Sequence, residues 1–200
     1  MSEPQVDQEI ATIEDGYLWC SDFRLMNDPM EGLYEADHSF RSHPRYHQLV
    51  DIILQNKRDI GICSFSETPK NELMWAHYAD QFRGICVEYD LRKLLDGLPD
   101  NIDIIRIHYD ERMPAISLNS RTPTMEIAKQ ILSCKNYSWL YEREWRLLGH
   151  TGKLDYRDNC ITNVYIGPRM PDRIKSRLTP VLRRLHIPNE TLQIEGYRLR

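Results

Sequence analysis

At 200 residues, 41% hydrophobic and 28% charged with a net charge of −4, the chain has the composition of a folded globular protein. These values exclude a disordered or fibrous chain, and the length suits a single domain with a core of ordinary size. No apolar run approaches the roughly 18 residues needed to span a bilayer, so no membrane partner is expected.

The start, Met1-Ser2-Glu3-Pro4-Gln5, is acidic and polar where a signal peptide would be basic and then apolar, which predicts a cytoplasmic location. Residues 1–13 carry no further signal. Glu14-Asp15-Gly16 reads as a turn, and Tyr17-Leu18-Trp19-Cys20-Ser21 as a short strand rich in aromatic and apolar residues. Met26-Asn27-Asp28-Pro29-Met30-Glu31 fits two structures. Asn-Asp-Pro is turn chemistry. The same residues also fit a helix start with Asp28 as N-cap, Pro29 at the first position and Glu31 at the third. A binding role for Asn27, Asp28 or Glu31 is a further reading.

His38, His43 and His47 are spaced five and four apart and broken by Pro44, which does not match metal ligands on one helical turn. A helix is predicted over Tyr46–Lys57, burying Leu49, Val50, Ile53 and Leu54. Ile60–Ser66 reads as a strand that becomes hydroxylated at Ser64 and Ser66. Asn71 then caps a helix over Glu72–Gln81, whose rows carry Trp75 with Tyr78 and Met74 with His77. A strand at Ile85–Tyr89, a helix at Leu91–Leu98 and a strand at Ile102–Tyr109 follow. The polar loop at 111–123 has a length at which loops are often functional. Helical composition runs on from Thr124 toward Trp139. After it come a strand at Ile161–Ile166, a helical pattern from Pro171 to His186 interrupted by Pro180, and a last strand over Leu192–Leu199.

Five widely spaced cysteines (Cys20, Cys63, Cys86, Cys134, Cys160) contain no Cys-x-x-Cys pair and read as small core residues, so no metal is expected. Charge is uneven: residues 1–40 hold ten acids and one arginine, whereas eight basic residues and three acids lie from Arg169 onward. Such asymmetry can mark a nucleic-acid surface. The basic residues sit on an ordinary amphipathic pattern, however, which favours a solvated helix face.

The most informative stretch is Trp139-Leu140-Tyr141-Glu142-Arg143-Glu144-Trp145-Arg146. A strand beginning near Glu142 would place Glu142, Glu144 and Arg146 on one face and Arg143, Trp145 and Leu147 on the other. Two carboxylates and a guanidinium on an interior face must pair, because an unpaired buried carboxylate is very costly.

Leu18-Trp19-Cys20-Ser21, Asn27-Asp28-Pro29-Met30-Glu31, Cys63-Ser64-Phe65-Ser66, Leu73–Ala79, Gly84–Tyr89, Lys135, Trp139, Glu142–Arg146 and Ile166-Gly167-Pro168 form a set spread over roughly residues 15–170. In order and spacing this set resembles the bacterial domain of unknown function 2971. Members of that family usually open with a Leu-Tyr-Lys-Tyr-like strand, which this sequence lacks. More loosely, Ser64-Phe65-Ser66 and Glu142-x-Glu144 are similar to the Ser-bearing strand and Glu-x-Glu of ADP-ribosyltransferase-like folds. The Arg or His that such folds carry on the first strand has no match here.

The succession of elements reads as a single α+β domain with about six to seven strands and four to six helices. The resemblance implies a small mixed or antiparallel split β-sheet with flanking helices, and NAD as substrate. Cleaving the bond between nicotinamide and ribose creates an oxocarbenium-like cation, which a fixed carboxylate stabilises. Glu144 would do this, and Glu142 would orient or deprotonate the acceptor. Ser64 and Ser66 would hold the carboxylate or the ribose, and Trp75, Tyr78 or Tyr141 would stack on the nicotinamide. His77 or an arginine such as Arg146 would meet the pyrophosphate, with Asn27 in the binding set. The resulting expectation is an ADP-ribosyltransferase- or NAD glycohydrolase-like enzyme, a toxin or phage-defence effector, acting on a nucleotide or macromolecular acceptor. The competing expectation is a non-catalytic module that binds a nucleotide, nucleic acid or protein. In that case the acids are engaged by Arg146 and other cations, and the binding surface is Trp75/Tyr78 with the basic C-terminal segment. A metal-dependent hydrolase using Asp28, Glu31, Glu142 and Glu144 ranks last.

Overall fold

The computed structural model describes residues 3–117, 122–157, 159–196 and 198–200. Its helices are α1 (Glu3–Glu14), α2 (His38–Arg41), α3 (Tyr46–Asp59), α4 (Glu72–Tyr78), α5 (Leu91–Gly97), α6 (Thr124–Ile131) and α7 (Asp172–Arg184). The strands are β1 (Tyr17–Asp22), β2 (Glu35–Ala36), β3 (Gly61–Ser66), β4 (Ile85–Tyr89), β5 (Asp103–Arg106), β6 (His108–Asp110) and β7 (Ala115–Ile116). They continue with β8 (Cys134–Asn136), β9 (Glu144–Gly149), β10 (Gly152–Asp155), β11 (Ile161–Ile166), β12 (Asn189–Thr191), β13 (Ile194–Glu195) and β14 (Arg198–Leu199). The α+β expectation therefore holds, with several small sheets that are largely antiparallel.

The chain divides into two compact units, one formed by residues 1–18, 68–100 and 154–200 and the other by residues 19–67 and 101–153. In the first, β11 lies between β4 (antiparallel) and β12 (parallel). Its core joins Val6, Ile10 and Ile13 of α1 to Val164 and Ile166 of β11 and to Ile174, Leu178 and Leu182 of α7. The last three recur every four residues, the spacing of one helix face, and each such burial contributes roughly 1.5–3 kcal/mol. The charge asymmetry of the sequence is resolved here. Arg177 pairs with Asp7 and Arg184 with Glu14, so acidic α1 and basic α7 face one another. Residues 3–14, of which 3–13 carried little signal and Glu14 was read as the start of a turn, are thus a helix, stabilised by a partner far along the chain.

The second unit is built on the sheet β10-β1-β3-β9-β5. Ile62 lies opposite Leu148, Ser64 opposite Arg146 and Ser66 opposite Glu144. One face of this sheet packs Ile62 and Leu148 with Phe23, Ala128 and Leu132. A second cluster joins α3 and α6 through Leu49, Ile53, Ile127 and Ile131. Gly61 is required by close approach, since a Cβ there would lie 2.2 Å from the main-chain oxygen of His150. Gly61→Ala is expected to cost about 1–3 kcal/mol, because backbone cannot yield as a side chain does. At roughly 2–4 °C per kcal/mol, a thermal melt reads this directly. An unchanged melting temperature would contradict the close approach.

Several boundaries differ from expectation. The segment after Asp28 is a turn and not a helix start. The helix predicted to run from Thr124 toward Trp139 stops at Ile131 and gives way to β8 and a 3-10 segment, Tyr137–Glu142. The helix predicted to reach Gln81 stops at Tyr78, because Asp80, Gln81 and Phe82 all take positive φ. The strand predicted over Ile102–Tyr109 is two strands in different sheets, and Leu192–Leu199 contains a hairpin and not one strand. β10 had no sequence signal. Of the loop predicted at 111–123, residues 118–121 lie outside the described residues, and β7 occupies part of the rest. No helix is long and apolar enough to cross a membrane.

Candidate functional site

The strand carrying the paired charges begins at Glu144, two residues later than its composition suggested. Glu144 and Arg146 share a face as the period of two requires. Glu142 belongs to the 3-10 segment and is brought to the same place by another route. Arg143 takes the left-handed conformation, φ 45° and ψ 51°, which turns the chain between the two acids. A non-glycine residue there costs of order 1–2 kcal/mol, so the neighbours on both sides must hold it in place.

They do so through a buried ionic network. Arg146 is 0% exposed, and all five of its N–H groups are engaged. Nε donates to Glu144 Oε1 (2.7 Å) and Nη2 to Glu144 Oε2 (3.1 Å). Nη1 donates to Glu31 Oε1 (2.7 Å) and Nη2 to Glu31 Oε2 (2.8 Å), a two-pronged fork. The remaining Nη1 hydrogen goes to the Leu132 carbonyl at 2.6 Å. Glu144 is equally committed. Besides Arg146, it accepts from Ser64 Oγ at 2.6 Å and from Lys135 Nζ at 3.0 Å. Lys135 Nζ also donates to Glu142 Oε2 at 2.5 Å and lies 5.0 Å from the Trp139 ring centroid. Ser66 Oγ donates to the Glu142 carbonyl at 2.7 Å, and the Glu144 amide donates to Tyr109 Oη at 2.9 Å. Three carboxylates thus face two cations.

The protonation states follow from this packing. Burial alone would raise the Glu144 carboxyl. The Arg146 charge and hydrogen bond, then the Lys135 charge and the Ser64 bond, outweigh burial and hold it below its ordinary 4.5. For Lys135, burial pulls the ammonium down, but the charge of Glu144 and the bond and charge of Glu142 outweigh it and raise the pKa above 10.5. Glu144 and Lys135 are therefore both ionised near neutral pH.

Glu31 reaches the network because the Asn27–Gly32 segment is a tight turn. Asp28 Oδ1 accepts the Met30 amide at 2.9 Å, and the Asp28 carbonyl accepts the Glu31 amide at 3.0 Å. Gly32 follows at φ +73°, a conformation suited to glycine. Its carbonyl accepts from Lys57 Nζ at 2.8 Å, and that ammonium sits 5.1 and 5.4 Å from the Phe23 and Tyr34 ring centroids. Burial lowers the Lys57 pKa. The motif therefore delivers one carboxylate into the core.

The structure thus brings Glu142, Glu144, Arg146, Ser64 and Ser66 together, with half-buried Tyr141 beside them, its ring tilted against Trp139 at 6.1 Å. Asn27 is exposed and makes no bond to the network among the described residues. Trp75, His77 and Tyr78 belong to α4 in the other unit. Trp75 corrects the expected stacking role. It is 2% exposed, and its indole N–H donates to the Pro69 carbonyl at 2.6 Å, so its ring is core. His77 and Tyr78 are exposed, their rings edge-to-face at 6.3 Å. In sequence, Lys135 figures only as a position of the family resemblance, without a role, and neither Tyr109 nor Lys57 is singled out. A lone lysine or tyrosine in sequence gives no sign of burial, and only pairing with an acid or a ring accounts for it. Among the described residues, no group of three or more His, Cys, Asp or Glu side chains is arranged to hold a metal ion.

Residues 74–147 match the family model described as Protein of unknown function (DUF2971). This supports the resemblance read from the sequence, over a span that includes Lys135, Trp139 and the Glu142–Arg146 stretch. No curated protein and no solved structure matches the chain.

Proposed function

We propose that this protein is a non-catalytic binding module, in which the Glu31–Arg146–Glu144–Lys135–Glu142 network is a structural lock beneath a surface formed by Tyr137–Arg143. The observation that carries this reading is saturation of the two central groups. Every N–H of Arg146 is engaged within the protein, and each oxygen of Glu144 accepts two hydrogen bonds. A carboxylate that stabilises an oxocarbenium ion must present its charge to the sugar. Freeing Glu144 would break charged hydrogen bonds worth about 1.5–3 kcal/mol each. Of the expected Trp75/Tyr78 surface and basic segment, Tyr78 is exposed, but Trp75 is core and α7 is paired to α1, so this reading puts recognition on the 3-10 segment.

A second reading keeps NAD-dependent glycosyl transfer, with Glu144 catalytic and a toxin or defence role. One observation favours it. Ser64 is exposed and donates to Glu144 at 2.6 Å, as expected for a serine that orients a catalytic carboxylate. Nicotinamide release from NAD, measured for wild type beside Glu144→Gln with a bacterial lysate as acceptor source, separates the two. The binding-module reading predicts no release above background for either protein. Release by wild type that vanishes in the variant would overturn it in favour of the transferase.

A further inference from the structure

We propose that β4 is the contact strand of a homodimer, pairing antiparallel with β4 of a second copy of this chain about a two-fold axis at Val87. The direction of each backbone group in β4 follows from its neighbours. The Val164 amide donates to the Pro188 carbonyl at 2.9 Å and the Leu192 amide to the Ile166 carbonyl at 3.0 Å, so residues 164 and 166 of β11 serve the β12 side. Backbone groups alternate in direction along a strand, so Asn163 and Tyr165 serve β4, where they face Glu88 and Cys86. The Gly167 amide, donating to the Gly84 carbonyl at 2.9 Å, continues the alternation. Gly84, Cys86 and Glu88 therefore point into the sheet, and Ile85, Val87 and Tyr89 point out of its edge. In this sheet β4 has no neighbour besides β11, and among the described residues the backbone groups of Ile85 and Val87 make no hydrogen bond to another element.

Open edges are normally guarded by charge, proline or brevity. The outer strands β5 and β10 carry Asp103 with Arg106 and Lys153 with Asp155, and β12 is three residues long behind Pro188. β4 runs for five residues, Ile-Cys-Val-Glu-Tyr, with one charge and neither proline nor lysine. Glu88 is exposed and the other four are half-buried, so the strand is accessible. Such an edge recruits a further strand through its main chain. The second copy fits because the strand is complementary to itself. With the axis at Val87, that residue faces its own counterpart and Ile85 faces Tyr89, so every outward residue meets an outward one. These side chains share one face, and apolar meets apolar across the axis. Glu88 faces Cys86, and no charge stands opposite a like charge. An axis at Glu88 would set two carboxylates opposite each other, and an axis at Cys86 would carry Tyr89 past the end of the facing strand. Registers between these oppose outward to inward residues and cannot bond. The pairing joins two three-stranded sheets into one of six, and it is independent of whether Glu144 is catalytic.

The test is the solution mass of wild type, Val87→Pro and Cys86→Pro by sedimentation equilibrium, with a thermal melt of each. Wild type is expected at twice the 23.8 kDa of one chain. Val87→Pro removes an N–H that a single chain leaves unused, so it should keep a cooperative melt while the dimer Kd rises at least tenfold. Cys86→Pro removes an N–H that serves β11 and should melt well below Val87→Pro. Glu88→Cys, at an exposed position, reads the register. Its counterpart across the axis is Cys86, in a non-hydrogen-bonded pair with Cα atoms about 4.5 Å apart, within disulfide range. Oxidised glutathione should therefore link two chains of Glu88→Cys, and adding Cys86→Ser should abolish the link. Wild type that stays at the mass of one chain up to millimolar concentration would overturn the proposal. So would a folded Val87→Pro that dimerises as tightly as wild type, or equal melting temperatures in the two proline variants. Glu88→Cys that forms no linked dimer would overturn it whether or not Val87→Pro folds. A link that survives Cys86→Ser would put Glu88 on the axis and overturn the register.

Discussion

Arg146→Met is expected to lower the unfolding free energy by about 3–5 kcal/mol, measured by urea denaturation at neutral pH. Methionine fills much of the arginine volume, so the cost is electrostatic and not a cavity. Glu31 and Glu144, 8% and 4% exposed, would lose the guanidinium that each grips with both oxygens. The Leu132 carbonyl would lose its donor as well. Lys135 cannot compensate for all of this, since it already serves Glu142 and Glu144. Total stabilities of 5–15 kcal/mol are usual, so such a loss would leave the second unit close to unfolding. A cost below about 1 kcal/mol would mean that the acids find other partners or water when Arg146 is gone.

The second large effect is on the pH profile. Glu144 has a folded pKa below its ordinary 4.5, so its contribution to stability is complete above 4.5 and is lost as pH falls through the depressed value. Lys135 behaves oppositely. Its folded pKa lies above 10.5, so its contribution is complete below 10.5 and disappears as pH rises through the raised value. Lys135→Met is expected to cost about 3–5 kcal/mol at neutral pH, by breaking a buried pair on both carboxylates. It should also remove the alkaline limb contributed by Lys135 and shift the acid limb upward, because one of the charges that holds Glu144 down has gone. Urea midpoints between pH 3 and 11, taken as the difference between variant and wild type, report both changes. A difference that is flat with pH would contradict the assigned couplings.

Part of this network was legible in the sequence. The period of two placed Glu144 and Arg146 together, and the cost of buried charge required that they be paired. The resemblance implied that Ser64 and Ser66 hold the carboxylate or the ribose, and Ser64 meets the Glu144 carboxylate while Ser66 meets the Glu142 carbonyl. Three things were not legible. Arg143 in the left-handed conformation has no sequence signature, since arginine does not announce positive φ as glycine does. β9 was therefore started two residues early, with Glu142 assigned to the strand although it reaches the same network from the 3-10 segment. The Asn27–Glu31 motif fitted a turn and a helix cap equally. The choice is made by Arg146, 115 residues away, which draws Glu31 into the core. The helix α1 has little signal of its own because its stability comes from α7, at the other end of the chain. Each miss is a local preference overruled by a distant contact.

The central claim is that the buried acids serve the fold, and the coupling between Glu31 and Arg146 tests it most directly. Unfolding free energies of wild type, Glu31→Gln, Arg146→Met and the double variant give that coupling as a double-mutant cycle. A structural lock predicts that the double variant is less destabilised than the sum of the singles by about 2–3 kcal/mol. Additivity within about 0.5 kcal/mol would show that the pair adds nothing to the fold, and would return the Glu142–Arg146 cluster to the search for a catalytic role.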